Sequence, residues 1–158
     1  MLVRPLTTNE RAEFHGFTHL AIVTADDLTQ ATANTAQTFT LMPVLKGDVI
    51  LRAMGIPVVP FQNTSDSGFN SDTVSLGDGG SATRYYAATE ANANGAYAPV
   101  LGNTPFLYTA NDNLVLTVNS MAAKSLVNIN RGEYWVLFSH VRSSVLTNAL
   151  GRQRISKP

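Results

Sequence analysis

Short stretches in which polar and apolar residues alternate recur along the chain. Residues 38–41 read Thr-Phe-Thr-Leu, and residues 114–118 place Leu114, Leu116 and Val118 on one side of an extended chain. A period of two residues is typical of a strand with one buried face. Further runs rich in β-forming residues are predicted as strands at residues 17–23, 48–54, 56–61, 73–76, 106–109 and 134–141.

Turn-forming residues separate these runs. Residues 77–80 read Gly-Asp-Gly-Gly and residues 111–113 read Asn-Asp-Asn, and both are typical of turns between strands. Pro57 and Pro60 indicate that the run over residues 56–61 is an edge or kinked strand, because proline donates no ladder hydrogen bond. About eight short strands with little helix predict an all-β sandwich or barrel.

Two segments are less regular. Residues 84–90 are ambiguous, because their alanines and Glu90 favour a helix whereas Tyr85 and Tyr86 favour a strand. Residues 26–32 begin with two aspartates, which are suited to cap one short helical turn.

The run over residues 134–141 is apolar on both faces. Tyr134 and Phe138 share one face, and Trp135 and Leu137 share the other. We therefore expect a central strand that is covered on both sides. Aromatic side chains on two faces exceed what a two-layer sandwich must bury, so a contact between subunits is the alternative to a core position for Trp135.

The composition limits the class of protein. The chain has 158 residues, which fits one domain, and only 14% of them are charged. The net charge is zero, which argues against general binding to nucleic acid. The chain has no cysteine, and its sequence indicates neither a signal peptide nor a membrane span.

The two ends differ from the body. We expect residues 1–16 to form an N-terminal arm and residues 17–141 to form the sandwich domain. Residues 142–158 carry three arginines, Lys157 and no acidic residue, which suggests a basic C-terminal arm that docks on a neighbour. A loose, solubilising terminus is the alternative interpretation.

The candidate chemical motifs are incomplete. His15 and His19 are four residues apart, but zinc needs further ligands. The loop around residues 66–72 departs from the EF-hand pattern, and no Lys-Ser or Lys-Thr pair follows the glycines of residues 77–80. No Gly-x-Ser-x-Gly motif accompanies His140. We therefore expect no catalytic residue, metal or cofactor, and a protein that is not an enzyme.

Four segments resemble small phage head-decoration, or cement, proteins. They are Lys-Gly-Asp-Val-Ile-Leu at residues 46–51 with Pro-Val-Val-Pro-Phe at 57–61, the strand and glycine turn of residues 73–86, residues 113–118, and Arg-Gly-Glu-Tyr-Trp-Val-Leu at 131–137. The resemblance implies a jelly-roll-like β-sandwich that trimerises on the exterior of a virion. The implied partners are the major capsid protein and two further copies of the chain, and the implied role is to stabilise the capsid.

The contacts with the capsid or between subunits are expected at aromatic and basic side chains. These are Tyr85, Tyr86, Trp135, Arg142, Arg152 and Arg154. Two other functions stay open. One is a glycan-binding jelly-roll module of a phage fibre or head appendage, which would use Tyr85, Tyr86 and Tyr97. The other is a small hydrolase or isomerase that would use His140.

Overall fold

The computed structural model describes residues 1–102 and 105–144. Within them, ten strands and one short helix are joined by turns and loops. Two 3₁₀ turns, Ala25–Asp27 and Leu126–Asn128, add to them. In chain order the elements are β1 (Leu2–Pro5), α1 (Thr8–Glu13), β2 (His19–Thr24), β3 (Gln37–Val44), β4 (Val49–Gln62), β5 (Asp72–Asp78), β6 (Ser81–Glu90), β7 (Val100–Gly102), β8 (Phe106–Leu107), β9 (Asp112–Ser120) and β10 (Arg131–Val141).

The strands form two antiparallel sheets that pack face to face. Sheet A has the order β1-β2-β10-β4-β7, with β8 also paired to β4, and sheet B has the order β3-β9-β5-β6. From β2 to β10 the chain crosses repeatedly between the sheets, which is the connectivity of a jelly roll. The all-β, jelly-roll-like sandwich predicted from the sequence is confirmed, and β1 is an additional strand at one edge of sheet A.

The main core lies between the two sheets. β9 contributes Leu114, Leu116 and Val118, which are fully buried as their alternation predicts. β10 contributes Tyr134 and Phe138 from the opposite sheet, together with other buried residues of the same cluster. Because successive strand residues point to opposite faces, each sheet supplies every second residue to this core.

A second, smaller core covers the outer face of sheet A. Leu20 and Leu137 point away from the main core and are buried by Leu6 and Phe17, which flank α1. Phe14 adds an edge-to-face contact with Trp135, with ring centroids 6.4 Å apart. β10 is therefore central and covered on both sides, as the sequence predicts.

The first residues of the chain lie against sheet A, whereas an extended arm over residues 1–16 was expected. β1 pairs with β2 along its whole length. α1 begins with a capping box in which Glu10 donates its N–H to the Thr7 hydroxyl and accepts from the Thr7 N–H. The apolar flanks of α1 bury surface on the sheet, and this gain holds the segment in place.

β4 runs without a break through Gly55, where two separate strands were expected. Gly55 is buried, and a Cβ atom at this position would lie 2.8 Å from the Tyr86 hydroxyl oxygen and closer still to that of Tyr134. The glycine is needed because two tyrosine side chains approach the backbone closely, and not because the chain turns.

The second half of β4 behaves as an edge. Within the described residues, β4 beyond Gly55 pairs with β10 on one side and makes a single bridge from Phe61 to Asn92 on the other. Pro57 and Pro60 lie in this half, where one side of the strand is open and a missing N–H group on that side costs no ladder hydrogen bond. The prediction of an edge strand from these prolines is confirmed.

Prolines also occupy the two strands on the opposite side of the sandwich. Pro5 ends β1, which is the outermost strand of sheet A, and Pro43 lies in β3, which is the outermost strand of sheet B. Both edges thus lack one of the N–H groups that an added strand would need.

Residues 84–90, which were ambiguous in sequence, belong to β6. The strand pairs with β5 from Ser81 opposite Asp78 to Glu90 opposite Thr73. Its alanines favour helix only weakly, and pairing with β5 overrides that preference.

Gly55→Ala is expected to lower the free energy of unfolding by about 1–3 kcal/mol, because the added methyl group overpacks the core against Tyr86 and Tyr134. Chemical denaturation measures the change. In a Tyr134→Phe background, which lacks one of the two crowding hydroxyls, the loss should be smaller. An equal loss in both backgrounds would show that the tyrosine contact is not the cause.

Candidate functional site

A groove of about 580 Å³ lies between the edge strands β1 and β3, beside the end of β10. A smaller cavity of about 410 Å³ adjoins it and shares Pro5, His19, His140 and Arg142. The apolar wall of the groove is built from four residues of the two edge strands: Val3, Pro5, Met42 and Pro43. We call this feature the β1–β3 groove.

A buried His–Asp pair lies at the base of the β1–β3 groove. His140 Nε2, at the end of β10, is 2.9 Å from Asp48 Oδ2, just before β4. Asp48 also accepts hydrogen bonds from the N–H groups of Leu45 and Ser143, at 3.1 and 2.9 Å. Burial alone would raise the pKa of Asp48, but these hydrogen bonds and His140 outweigh it and hold the pKa below its usual value.

His19 lies beside this pair and is half-buried. Its ring stacks on Phe138, with centroids 5.1 Å apart and planes 6° from parallel, and its Nδ1 lies 2.8 Å from the Thr18 hydroxyl oxygen. Burial, followed by electrostatic interactions with His140, Arg11 and Arg142, lowers the pKa of His19 to about 4. The imidazole is therefore neutral at neutral pH.

The side chains of His140 and the adjacent Ser139 do not contact each other as a catalytic serine and histidine would. Because neighbouring strand residues face opposite sides, Ser139 lies on the outer face of sheet A, where its hydroxyl donates to the Gly16 carbonyl at 3.1 Å. His15 follows α1 with a positive φ of 51°, whereas His19 begins β2, so the two do not share a helix face. Within the described residues, no group of three or more His, Cys, Asp or Glu side chains is arranged to hold a metal ion.

Two of the predicted contact residues are buried in the chain itself. Tyr85 and Tyr86 are only 4% and 5% exposed. The Tyr85 hydroxyl is 2.8 Å from that of Tyr108, and Tyr86 packs beside Tyr134. A glycan-binding site would need these tyrosines at the surface, but irregular pairing between β5 and β6 lets both side chains turn inward. This removes two of the three tyrosines that favoured glycan binding, and Tyr97 is the exposed one.

The other predicted contact residues lie at the surface or outside the described part. Trp135 is half-buried on the outer face of sheet A, and Arg142 is exposed at the β1–β3 groove. Arg152 and Arg154 lie outside the described residues, as does most of the predicted C-terminal arm, residues 142–158.

Trp135 belongs to an apolar surface that crosses sheet A. In the strand register, Leu2, Ile22, Trp135 and Ile56 lie opposite one another on four neighbouring strands. Leu101 adjoins them on β7, opposite Met54. Leu2 and Leu101 are exposed and the rest are half-buried, so α1 leaves these side chains incompletely covered. We call this set of five residues (Leu2, Ile22, Trp135, Ile56 and Leu101) the outer apolar row.

The β5–β6 turn holds a polar network that the sequence did not predict. Asp78, predicted only as a turn residue, is buried and accepts hydrogen bonds from the N–H groups of Gly80 and Ser81, at 3.0 and 2.8 Å. It also accepts from the Tyr108 hydroxyl at 3.1 Å and pairs with Arg84. These partners outweigh burial and hold the pKa of Asp78 below its usual value. The spacing of an aspartate and an arginine six residues apart across a glycine turn was the only signal.

A second buried carboxyl group has fewer partners. Asp72 Oδ2 accepts a hydrogen bond from Asn92 Nδ2 at 2.9 Å, but its Oδ1 is buried and has no partner within the described chain. Burial, together with the charge of Glu90, raises the pKa of Asp72 to about 7, although the Asn92 hydrogen bond opposes this.

No family model and no curated protein matches this sequence. Among solved structures, the fold is similar to a chain of the cyanophage Pam1 capsid asymmetric unit, with a TM-score of 0.54 and 21% identity over 78% of this chain and 81% of that one. At 21% identity the likeness concerns the fold alone.

Two further structures overlap more loosely. One is the acidic stable capsid structure of Helicobacter pylori bacteriophage KHP30, with a TM-score of 0.46 and 15% identity over 78% of this chain and 91% of that one. The other is the C-terminal domain of EclA, a sugar-binding protein, with a TM-score of 0.35 and 13% identity over 87% and 99%. Overlaps this loose support no conclusion about this chain.

No helix within residues 1–102 and 105–144 is long and apolar enough to cross a membrane.

Asp72→Asn is expected to remove a pH dependence of stability. In the folded protein Asp72 stays protonated up to about pH 7, whereas the unfolded carboxyl loses its proton near pH 4. The contribution of this group to stability is therefore fully present below about pH 4 and is lost as the pH rises through about 7. Within this window the wild type should lose up to about 1.4 kcal/mol per pH unit from this group. Denaturation between pH 4 and pH 8 measures the slope. Asp26→Asn, at an exposed aspartate, is the control, and an unchanged slope in Asp72→Asn would contradict the assignment.

Proposed function

We propose that this protein is a structural component of a phage virion that decorates the outside of the capsid and stabilises the shell. It does so by binding the outer surface of the major capsid protein as a homotrimer, after assembly in the host cytoplasm. The observation that carries this proposal is the similarity of its fold to a chain in the cyanophage Pam1 capsid, which extends over 78% of this chain and 81% of the other.

The segments that resemble decoration proteins support the same function. Residues 46–51 lead into β4, and residues 73–86 span the β5–β6 hairpin. Residues 113–118 lie in β9, and residues 131–137 open β10. β4 and β10 are interior strands of sheet A, and β5 and β9 are interior strands of sheet B, whereas β6 is an edge strand. The resemblance therefore mostly involves the strands on which the fold depends.

The outer apolar row is the contact surface that we propose. It places a half-buried tryptophan among aliphatic side chains, of which Leu2 and Leu101 are exposed, and tryptophan is enriched at the centres of protein interfaces. It lies on the outer face of sheet A, where the strands hold its side chains in fixed positions. The low charge of the whole chain, 14% of residues, is consistent with surfaces that are covered in an assembly.

A decoration protein of this kind acts mechanically. Three linked copies bind with a high effective concentration, so modest contacts in each copy give strong attachment. The two-sheet body transmits load because it is closely packed and has low compressibility. Contacts of this type need no catalytic group.

Leu101→Glu is expected to weaken binding to capsids that lack this protein by at least about tenfold, because the contact would bury a charge without a partner. Co-sedimentation with such capsids measures the binding. Val127→Glu is the matched control, because Val127 is equally exposed (48% against 49%) but lies outside the outer apolar row. Equal binding by both variants would exclude the outer apolar row, and no binding by the wild type would exclude the proposed function.

We also expect the purified protein to be a trimer in solution. Light scattering should give a mass near three times the chain mass of 17.0 kDa. If Leu101→Glu shifts this mass to that of the monomer, the outer apolar row joins the copies to one another. If the mass is unchanged while capsid binding is lost, the row contacts the shell. A strictly monomeric wild type that also fails to bind capsids would contradict the proposal.

A further inference from the structure

Two arginines beside the β1–β3 groove form no ion pair with an acidic side chain in the described part of the chain. Arg11, on α1, and Arg142, after β10, both line the cavity that contains His19. Neither arginine has a carboxylate within ion-pair distance in the described part of the chain. Arg11 uses its Nε to donate to the Leu6 carbonyl at 3.0 Å, which holds the side chain beside β1 while its terminal nitrogens make no ion pair.

The acidic groups nearby are already engaged. Glu10 makes a two-point contact with Arg4, at 2.8 and 2.6 Å. Asp48 is held by His140 and by two backbone N–H groups. These carboxylates therefore neutralise neither Arg142, which lines the β1–β3 groove, nor Arg11, which lines the adjoining smaller cavity. The region where the two cavities meet thus favours an anionic ligand.

The rest of the groove selects among anions. Its wall is apolar, formed by Val3 and Pro5 of β1 and by Met42 and Pro43 of β3. A small hydrated anion such as phosphate would leave this wall uncovered, whereas a peptide covers it with aliphatic side chains and presents a carboxylate to the arginines. A peptide cannot extend the sheets easily here, because both edge strands contain proline.

We propose that the β1–β3 groove and the smaller cavity beside it bind an acidic peptide segment of a protein partner. Its carboxylates pair with Arg11 and Arg142, and its apolar side chains lie against the wall of the groove. This site does not depend on the proposed function, and it is separate from the outer apolar row. If the protein does decorate a capsid, the segment belongs to the shell protein.

His19 reports on occupancy of the groove. Its low pKa arises from burial, from His140 and from the same two arginines, so a bound carboxylate raises the pKa by opposing those charges. By linkage, protonation of His19 and binding of the peptide favour each other, so the affinity rises as the pH falls through the pKa that His19 has in the complex, which lies above its free value of about 4. The charged and titratable groups that line the two cavities around His19 are Arg4, Arg11, Asp48, His140 and Arg142.

The test uses the full chain and an acetylated, amidated peptide of alternating valine and glutamate. Its affinity is measured by fluorescence anisotropy, and the ring signals of His19 are followed by NMR. We expect Arg11→Gln and Arg142→Gln each to weaken binding by about fivefold, the upper range for an exposed ion pair. Arg131→Gln is the control, because Arg131 is exposed at the opposite end of β10. The His19 pKa should rise on addition of the glutamate peptide.

Three results would overturn the proposal. One is equal affinity for a peptide in which glutamine replaces glutamate, because no carboxylate would then be recognised. Another is equal weakening by Arg131→Gln and Arg142→Gln, which would indicate a general charge effect. The third is equally strong binding of inorganic phosphate, which would mark the groove as a simple anion site. None of these measurements uses capsids, so they are independent of the capsid-binding test.

Discussion

β10 is the strand on which the rest of the molecule depends. It pairs with β2 on one side and with β4 on the other, so it joins the two halves of sheet A. Its inward side chains, among them Tyr134 and Phe138, belong to the main core, and Leu137 on its outer face anchors α1 and its flanks. The same strand carries Trp135 into the outer apolar row and His140 into the β1–β3 groove. Packing, the candidate contact surface and the groove therefore share one element.

The sequence predicted the parts of the fold that follow from local pattern. The alternation over residues 114–118, the prolines of β4 and the two apolar faces of β10 each have a local physical cause, and each was interpreted correctly. The role of Gly55 was interpreted incorrectly, because the glycine is required by two tyrosines that lie 31 and 79 residues further along the chain. Whether α1 lies on the sheet also depends on a distant partner, the outer face of β10.

The candidate sites were harder to predict for the same reason. Tyr85 and Tyr86 have the composition of a contact site, but irregular strand pairing turns both into the core. The groove combines His19, Asp48 and His140, which are far apart in sequence and meet only because β2, β4 and β10 are neighbours in sheet A. Arg142 was a candidate on charge alone, and the fold supplies its surroundings.

The prolines at the two outermost strands have a consequence for how copies of this chain meet. A sheet with complete edges recruits further sheets through its backbone, and such growth has no natural limit. Pro5 and Pro43 interrupt that backbone on one side of both sheets. At these two edges a neighbouring molecule cannot add a strand through an unbroken backbone ladder, so any contact made there must rely on side-chain shape and charge.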